Sequence, residues 1–293
     1  MIRKYVLLIL SLLVVFALAA CGAPAEAPAE EAPSAVPEAE PTEAPAEEEA
    51  AVEEEVGEML AAYVPSYSAH WSYEGETGPE FWGSLDPDYA ACSEGMEQSP
   101  VDVITDAPVN PDDVAYAYSE TTLNIVNNGH AIQVNVDEGS STAEVDGTSY
   151  ALEQLHFHSP SEHTVAGENM AMEMHLVHHD AEGNSAVISA LLVEGAENPA
   201  FAPIWENMPV EEGDPVTIEG VAVNPDDLLP EDRSYYHYMG SLTTPACTEG
   251  VNWHVLTTPV ELSADQIAAF RAIHDGTNRP TQPMNDREFL GPE

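Results

Sequence analysis

The chain has 293 residues, of which 53 are acidic and 6 are basic, so its formal net charge is −47. Thirteen acidic residues lie within residues 22–62, which leaves 40 acidic residues against four arginines from residue 63 onward. A surface of this charge repels phosphate backbones and anionic headgroups, which argues against nucleic acid, or an anionic membrane surface, as a partner of the folded part. The length beyond residue 62 suits one domain of about 230 residues.

The N-terminus is typical of a secretion signal. A positively charged start is followed by an apolar run from Tyr5 to Ala20, which is short for a membrane-spanning helix. The run ends in Leu18-Ala-Ala-Cys-Gly22, which resembles a bacterial lipobox, in which the cysteine is acylated and becomes the new N-terminus. The alternative is an ordinary signal peptide with a chance cysteine. We predict a lipoprotein signal peptide at 1–20 and lipidation of Cys21, which would anchor the protein to a lipid membrane outside the cytoplasm.

A biased segment follows Cys21. It consists almost entirely of Ala, Pro and Glu, with a few other small or aliphatic residues, and the next aromatic residue is Tyr63. Such a composition buries too little apolar surface to offset the entropy of ordering, and charge repulsion and proline keep it extended. We therefore predict the lipidated cysteine and a disordered acidic linker at 21–62, followed by one folded domain at 63–293.

Apolar patterns predict mainly β-strands in the domain. Residues 121–126 and 131–136 alternate apolar and polar side chains around Asn127-Asn-Gly129, which predicts two strands joined by a turn. Residues 186–193 form an almost continuous apolar run, typical of a buried central strand. Residues 251–256 are a further strand candidate.

Helical signals are few, and the best is at 263–273, with Ser263 as the N-cap. Together the patterns predict a mostly β (α+β) fold. The expected architecture is a single domain built on a large, mainly antiparallel twisted central sheet with short peripheral helices.

Two segments carry histidines at strand spacing. Residues two apart in a strand share a face, so His156 and His158 present two imidazoles side by side, with Gln154 one step further. By the same alternation Glu173 and His175 share a face. If the two strands are close, three neutral imidazoles converge, which suits tetrahedral zinc with a fourth position for water. Gln154 and Glu173 would accept the remaining ring N–H groups. The alternative is that these histidines are structural.

Seven motifs in order resemble those of α-class carbonic anhydrases, over essentially the whole domain. They are Gln98-Ser-Pro-Val101, Asn127-Asn-Gly-His130, Gln154-Leu-His-Phe-His158, Ser161-Glu-His-Thr-Val165, Glu173-Met-His-Leu-Val-His178, Gly240-Ser-Leu-Thr-Thr-Pro245 and Asn278-Arg-Pro-Thr-Gln-Pro283. The resemblance, to bacterial and lipoprotein-anchored members, implies the α-carbonic anhydrase fold and a Zn²⁺ cofactor. It implies reversible hydration of carbon dioxide to bicarbonate and a proton by zinc-bound hydroxide, with weak esterase activity as a possible accompaniment.

The resemblance also implies roles for individual residues. His156, His158 and His175 resemble the zinc ligands. Thr243 resembles the threonine that accepts a hydrogen bond from zinc-bound hydroxide, and Glu162 the acid that takes the threonine proton. The alternatives are a solvated loop position for Glu162 and a plain turn for Thr243 and Thr244.

Further residues match the walls of the active-site cavity. His130 resembles the proton shuttle, and Thr244 would line the substrate site. The apolar wall where carbon dioxide sits is matched by Val177, Val187, Leu242, Val251 and Trp253. A place in the plain core is the alternative for Val177, Val187 and Trp253. The polar wall that organises the water chain is matched by Tyr73, Asn128 and Gln133. The remaining histidines considered, predicted to be structural or exposed, are His163, His178, His179 and His254.

The cysteine count is odd. If Cys21 carries lipid, Cys92 and Cys247 remain, either as a disulfide pair in an oxidising compartment or as two free thiols. The resemblance implies the disulfide, which would anchor the loop that carries Thr243.

Two other functions compete with this interpretation. One is a zinc-free relative of carbonic anhydrase that acts as a binding module after losing its ligands. The other is a different zinc hydrolase, such as an esterase, but the sequence has no HExxH motif.

Overall fold

The structure, a computed structural model, describes residues 69–109 and 114–292. The predicted signal peptide, Cys21, the linker and the predicted start of the domain at residue 63 lie outside the described residues. Ser66–Glu293 form one compact unit. Among the described residues, no helix is both long enough and apolar enough to span a membrane.

Strands dominate the described part of the chain, and its helices are short. The strands are β1 Asp102–Val103, β2 Val114–Ala117, β3 Thr121–Asn127, β4 Ile132–Asn135, β5 Thr142–Val145, β6 Thr148–His158, β7 Thr164–Val165, β8 Glu168–Asn169, β9 Met172–His179, β10 Ser185–Glu194, β11 Val216–Val223, β12 Tyr235–Ser241, β13 Glu249–Leu256, β14 Val260–Leu262 and β15 Phe289–Leu290. The α-helices are α1 Trp82–Leu85, α2 Ala91–Glu94, α3 Ala202–Trp205 and α4 Ala264–Arg271, and the 3-10 helices are Gly75–Thr77, Pro87–Tyr89, Pro199–Phe201 and Pro225–Leu228.

Twelve strands form one large sheet. Its main path runs β11-β3-β4-β6-β9-β10-β13-β12-β15, with β5 on β6, β2 on β5 and β14 on β10. A separate small sheet has the order β1-β7-β8. Within the large sheet β10 pairs in parallel with β13 and β14, and the other pairs are antiparallel. The predicted large, mainly antiparallel sheet with short helices is therefore confirmed.

The elements predicted from apolar patterns are present with small shifts at their ends. The predicted turn joins β3 to β4, and Gly129 adopts a φ of 85°, which favours glycine. The predicted central strand is β10, which lies between β9 and β13 and is buried on both faces, because side chains from its two faces pack into two apolar clusters. Helix α4 begins after Ser263, whose side chain accepts from the Gln266 main-chain N–H in a capping box.

The two faces of the central strands differ: one packs into the apolar core and the other carries the histidines. On β6, Leu155 and Phe157 point into the main apolar core, so alternation turns His156 and His158 to the opposite face. On β9, Leu176 belongs to the same core. The face that carries the histidines is therefore the one on which a polar site is built.

A β-bulge in β6 sets the relative phase of the two histidine strands. Leu152 pairs with His178, but Gln154 pairs with Val177, so Glu153 is an extra residue without a partner in the ladder. A slip of one residue exchanges the two faces of a strand. The bulge thus sets the register of the strand residues that follow it. In that register His156 on β6 lies directly opposite His175 on β9.

A disulfide joins Cys92, in α2, to Cys247, in the loop between β12 and β13. The two residues are 155 positions apart, and the loop also carries a hydrogen bond of 2.8 Å from the Cys247 N–H to the Thr244 carbonyl. The bond therefore ties the Thr243 loop to the N-terminal part of the domain.

We expect the double variant Cys92→Ala/Cys247→Ala to unfold more easily than the wild type. Closing so long a loop restricts the unfolded chain, which in the chain-entropy model stabilises the fold by up to about 5 kcal/mol. Denaturant unfolding with and without a reductant measures the effect, and the reductant should not change the double variant further. Two free thiols in the non-reduced wild-type protein, seen by mass spectrometry, would contradict the bond.

Candidate metal centre

Three imidazoles meet on the polar face of the sheet. His156 and His158 lie two residues apart on β6, and His175 lies directly opposite His156 on β9. The ring centroids are 5.0 Å apart for His156 and His158, 5.2 Å for His156 and His175, and 4.7 Å for His158 and His175. One ring nitrogen from each lies within 4.8 Å of the others. The strands thus bring together the three histidines that the sequence predicted as ligands.

Each of the three rings uses its other nitrogen in a hydrogen bond to an oxygen acceptor. These contacts are His156 Nδ1 to Gln154 Oε1 at 2.8 Å, His158 Nδ1 to the Thr277 carbonyl at 2.6 Å, and His175 Nε2 to Glu173 Oε1 at 2.8 Å. Donation of these N–H groups fixes the tautomers and leaves a lone pair on the nitrogens that face one another.

The three rings are neutral at neutral pH. Burial lowers the pKa of His156, His158 and His175 below the usual histidine value, and neighbouring imidazoles act in the same direction. Glu173 opposes this lowering of the pKa at all three rings but does not reverse it. The inward nitrogen of His158, Nε2, is buried and has no hydrogen-bond partner. A buried polar atom is rarely left unpaired without a reason. Neutral imidazoles with an unpaired inward nitrogen fit the donor set that a zinc ion takes.

Glu173 organises this centre from behind. Its fully buried carboxylate receives five hydrogen bonds: from the His175 and His163 rings, the Ser189 hydroxyl, and the main-chain N–H groups of Glu162 and His163. Burial alone would raise the pKa of Glu173, but His163 and His175 hold it well below its usual range. The carboxylate is therefore ionised and fixes both a ring and a loop.

His163 completes the support for Glu173. The sequence analysis predicted it to be structural or exposed, and it is fully buried. Its Nδ1 lies 2.7 Å from Glu173 Oε1 and its Nε2 lies 2.7 Å from the Tyr238 hydroxyl. His163, Glu173 and His175 form a second group with metal-ligand spacing, but their atoms already bond one another. We therefore assign this group to structure.

Glu162 lies beside the inward face of the imidazoles. It is fully buried, so the alternative of a solvated loop acid is excluded. Its Oε1 accepts the Arg279 main-chain N–H at 2.8 Å, and its Oε2 is 3.5 Å from His158 Nε2. Burial raises its pKa to about 7, while His175, the Arg279 N–H and the Thr243 hydroxyl act in the opposite direction. Its Oε2 atom is buried and has no hydrogen-bond partner.

An apolar wall stands next to the imidazoles. Val177 on β9 is opposite Val187 on β10, which in turn pairs with Trp253 on β13, so three strands contribute one row of side chains. These residues and Leu242 line a cavity of about 250 Å³. Val251 packs in the cluster behind this row. The other residues that line the same cavity are Gln154, His156, His175, His179, Thr243 and Thr244.

A polar wall lies on the other side of His156. Here Tyr73, Asn128, Gln133 and His130 line a cavity of about 140 Å³ that also reaches His158 and Thr244. The Asn128 amide donates to Gln133 Oε1 at 3.4 Å. The described residues thus place an apolar and a polar wall on opposite sides of one floor.

His130 sits at the edge of the polar wall. Its ring stacks on Trp71 with the centroids 3.7 Å apart. The Asn128 side chain accepts the His130 main-chain N–H at 3.0 Å, which holds the turn. Burial and then His70 lower the pKa of His130, and the Glu212 carboxylate opposes them. At neutral pH this ring is a neutral base that faces the cavity.

Two contributors were missed by the sequence analysis. The Thr277 carbonyl orients His158 from a position more than a hundred residues away. Arg279 is buried and donates to Gln98 Oε1 and to two main-chain carbonyls, while its own N–H holds Glu162. Both lie in or next to Asn278–Pro283, a segment noted only as part of the family resemblance. The match of this segment to a family motif was the one sequence feature that could have identified Thr277 and Arg279 as parts of the site.

The fold and site define a β-sheet protein with a three-histidine metal-type centre at the floor of a two-sided cavity. The family model described as eukaryotic-type carbonic anhydrase matches residues 77–290. The chain therefore belongs to the eukaryotic-type, or α, carbonic anhydrase family, as its motifs predicted, and the predicted enzyme class, carbonic anhydrase, is confirmed.

The relatives agree with this assignment. A carbonic anhydrase of Klebsiella pneumoniae is 42% identical over 229 residues, which cover 78% of this chain and 93% of that protein. The α-carbonic anhydrase from Thermovibrio ammonificans, solved with the inhibitor sulfanilamide, is 43% identical with a TM-score of 0.70 and covers 76% of this chain and 99% of its own. A hyperthermostable carbonic anhydrase from a hydrothermal vent chimney is 44% identical with a TM-score of 0.73, covering 76% and 100%.

We expect Glu173→Gln to destabilise the domain and to weaken metal binding. A glutamine turns one of the two acceptor oxygens into a donor, so buried N–H groups lose their partner, which costs roughly 1–3 kcal/mol for each group left unpaired. Metal affinity should fall about 10- to 100-fold, as changes behind a ligand usually cause. Thermal unfolding and a metal-competition titration measure the two effects, and an unchanged protein in both would show that Glu173 is not the organiser.

Proposed function

We propose that this protein catalyses the zinc-dependent, reversible hydration of carbon dioxide to bicarbonate and a proton. One observation carries the proposal: three neutral imidazoles turn lone pairs toward one point while their outer nitrogens are bonded. That point lies on the floor of a cavity with an apolar wall, and carbon dioxide is itself a small apolar molecule.

The residues present fit a zinc ion. The inward atoms are Nε2 of His156, Nε2 of His158 and Nδ1 of His175, which is the three-nitrogen set of a catalytic zinc centre with one open position. Bound zinc would supply the Lewis acidity that makes water a nucleophile at neutral pH. Glu173 is not available as a ligand, since five donors hold its carboxylate. The three imidazoles complete the protein's donor set without Glu162.

The chain's other residues bind and orient the reactants. The row formed by Val177, Val187 and Trp253 would hold carbon dioxide against the floor and keep competing water away. The Thr243 hydroxyl, beside the buried Glu162, would accept a hydrogen bond from the attacking water and so direct its lone pair. The Thr243 main-chain N–H and the Thr244 side chain would receive the oxygens of bicarbonate.

The test is stopped-flow hydration of carbon dioxide, with metal analysis of the same samples. We expect about one zinc per chain in the wild type, the number that one three-histidine centre holds, and loss of activity with a chelator. His156→Ala and His175→Ala should lower activity by more than the roughly 10- to 100-fold that outer contacts cost. His237→Ala, which removes a half-buried imidazole on β12, is the matched control.

If both ligand variants keep full zinc and full activity, the assignment of His156 and His175 as zinc ligands is wrong. A wild-type protein without zinc or hydration activity would favour the alternative, a zinc-free binding module of the same fold. A weak esterase activity that disappears with the chelator would place ester hydrolysis in the same cavity as a side reaction.

We further propose that His130 carries the proton out of the cavity. Its ring is half-buried at the cavity edge, and imidazole is the side chain suited to exchange a proton near neutral pH. His130→Ala should lower kcat in dilute buffer at the low end of the roughly 10²- to 10⁴-fold range of acid–base groups, since buffer partly replaces it. The kcat/KM value should hold, because proton export follows hydration. If kcat in dilute buffer equals that of the wild type, His130 is not the shuttle.

We propose that the protein is a lipoprotein anchored through Cys21 to a membrane, with its folded domain outside the cytoplasm. The apolar segment ends in a lipobox-like sequence, and the acidic surface would not bind an anionic membrane by itself, so a membrane location needs a lipid anchor. Membrane fractionation and N-terminal mass spectrometry test it. Cys21→Ser should leave the precursor uncleaved or release the protein, and a soluble wild-type protein that starts at another residue would rule the anchor out.

A further inference from the structure

A second histidine opens onto the active-site cavity, on the apolar side. His179 is the last residue of β9 and lies four positions beyond His175, so alternation places both side chains on one face. It lines the cavity of about 250 Å³ together with Thr243 and Thr244. The sequence analysis predicted His179 to be structural or exposed, and gave it no role in the reaction.

The same side chain also faces the outside. His179 lines an open groove of about 600 Å³, which it shares with Glu138, Glu153 and Asp180. Its side chain is 32% exposed. An imidazole that borders both the cavity and an acidic groove is placed to exchange protons with each of them. The negative groove favours the cation that a neutral buffer base becomes when it accepts a proton.

The bulge in β6 supplies a partner for this ring. Glu153, the extra residue of the bulge, places its Oε2 atom 3.1 Å from His179 Nδ1, although the ladder pairs His179 with Ala151. Bulges of this kind re-aim a side chain next to a functional site. The His179 Nδ1 atom is covered by protein, so the exposed part of the ring is elsewhere. The contact lies outside hydrogen-bond geometry, since Nδ1 has no hydrogen-bond partner. The negative charge of Glu153 beside Nδ1 still favours the proton on that nitrogen, which leaves Nε2 as the basic nitrogen.

We propose that His179, oriented by Glu153, is a second proton-transfer group of this active site, acting in parallel with His130. The inference rests on the proposed hydration reaction, in which carbon dioxide and water give bicarbonate and one proton that must leave. Nε2 takes that proton from cavity water, the Glu153 carboxylate stabilises the cationic ring, and a buffer base in the groove removes the same proton. The ring and the carboxylate then return to their starting states.

The distance requires water between the centre and His179. His179 lies four positions from His175, which is about 13 Å along the strand, so direct transfer is excluded. Gln154 and Thr244 line the same cavity and offer the polar groups on which bridging water is held. The route should be slower than that of His130, whose cavity is lined by more polar side chains, among them Tyr73, Asn128 and Gln133.

The experiment compares kcat and kcat/KM for carbon dioxide hydration in dilute buffer, in the wild type, in His130→Ala and His179→Ala, and in the double variant. His179→Ala alone should cost less than about threefold in kcat while His130 remains. In the His130→Ala background, removal of His179 should cost a further threefold to tenfold, roughly, and imidazole in the buffer should restore it. Glu153→Gln in that background should give a smaller loss in the same direction. His237→Ala is the control for loss of an imidazole outside the cavity.

The outcomes separate this inference from the proposed function. Equal kcat for the double variant and His130→Ala in dilute buffer would overturn the role of His179. A fall in kcat/KM that imidazole does not restore would also overturn it, because His179 would then shape the carbon dioxide site instead. Absence of hydration activity in the wild type would overturn the proposed function itself, and with it this inference. Thermal unfolding of each variant separates a kinetic loss from a loss of the fold.

Discussion

The buried carboxylate of Glu173 is the constraint on which the rest of the site depends. An ionised group without access to water is tolerated only when donors surround it, and five hydrogen bonds do so here. Those bonds tie three parts of the molecule to one point: the ring of His175 on β9, the loop from Ser161 to His163, and Ser189 on β10. Because the carboxylate cannot move without leaving charge or donors unpaired, the ligand ring and the Glu162 loop cannot move either.

The alternation of side chains along the strands separates the core from the site. Alternation along β6 and β9 sends one set of side chains into the main core and the other set to the histidine face, and the core fixes the strands that carry the site. The bulge at Glu153 brings the two strands into the register that opposes His156 and His175. Geometry precise enough for a metal centre thus comes from strand pairing, not from flexible loops.

Much of this was predictable from local sequence. Alternation and turn residues predicted β3, β4 and the helix cap at Ser263, because these patterns depend on neighbours in the chain. The spacing of His156 and His158 placed them on one face for the same reason. The family and its fold were predicted from ordered motifs, and the comparisons confirm both.

Other features depend on contacts between distant residues, and local patterns carry no signal for them. The parallel pairing of β10 with β13 follows a crossover of more than fifty residues. The Thr277 carbonyl behind His158 is a main-chain atom that any residue supplies, so its identity carries no signal. His179 borders both the cavity and the outer groove, next to the bulged residue Glu153. No sequence pattern in β6 predicts that bulge.

The central claim is that a zinc ion is held by three particular ring nitrogens, and a map of anomalous scattering collected at the zinc absorption edge tests it most directly. The account predicts one strong peak at about 2.0–2.1 Å from Nε2 of His156, Nε2 of His158 and Nδ1 of His175, with one oxygen completing the tetrahedron. A peak between His163 and Glu173, a ligand set that includes a carboxylate, or no peak at full zinc supply would contradict it.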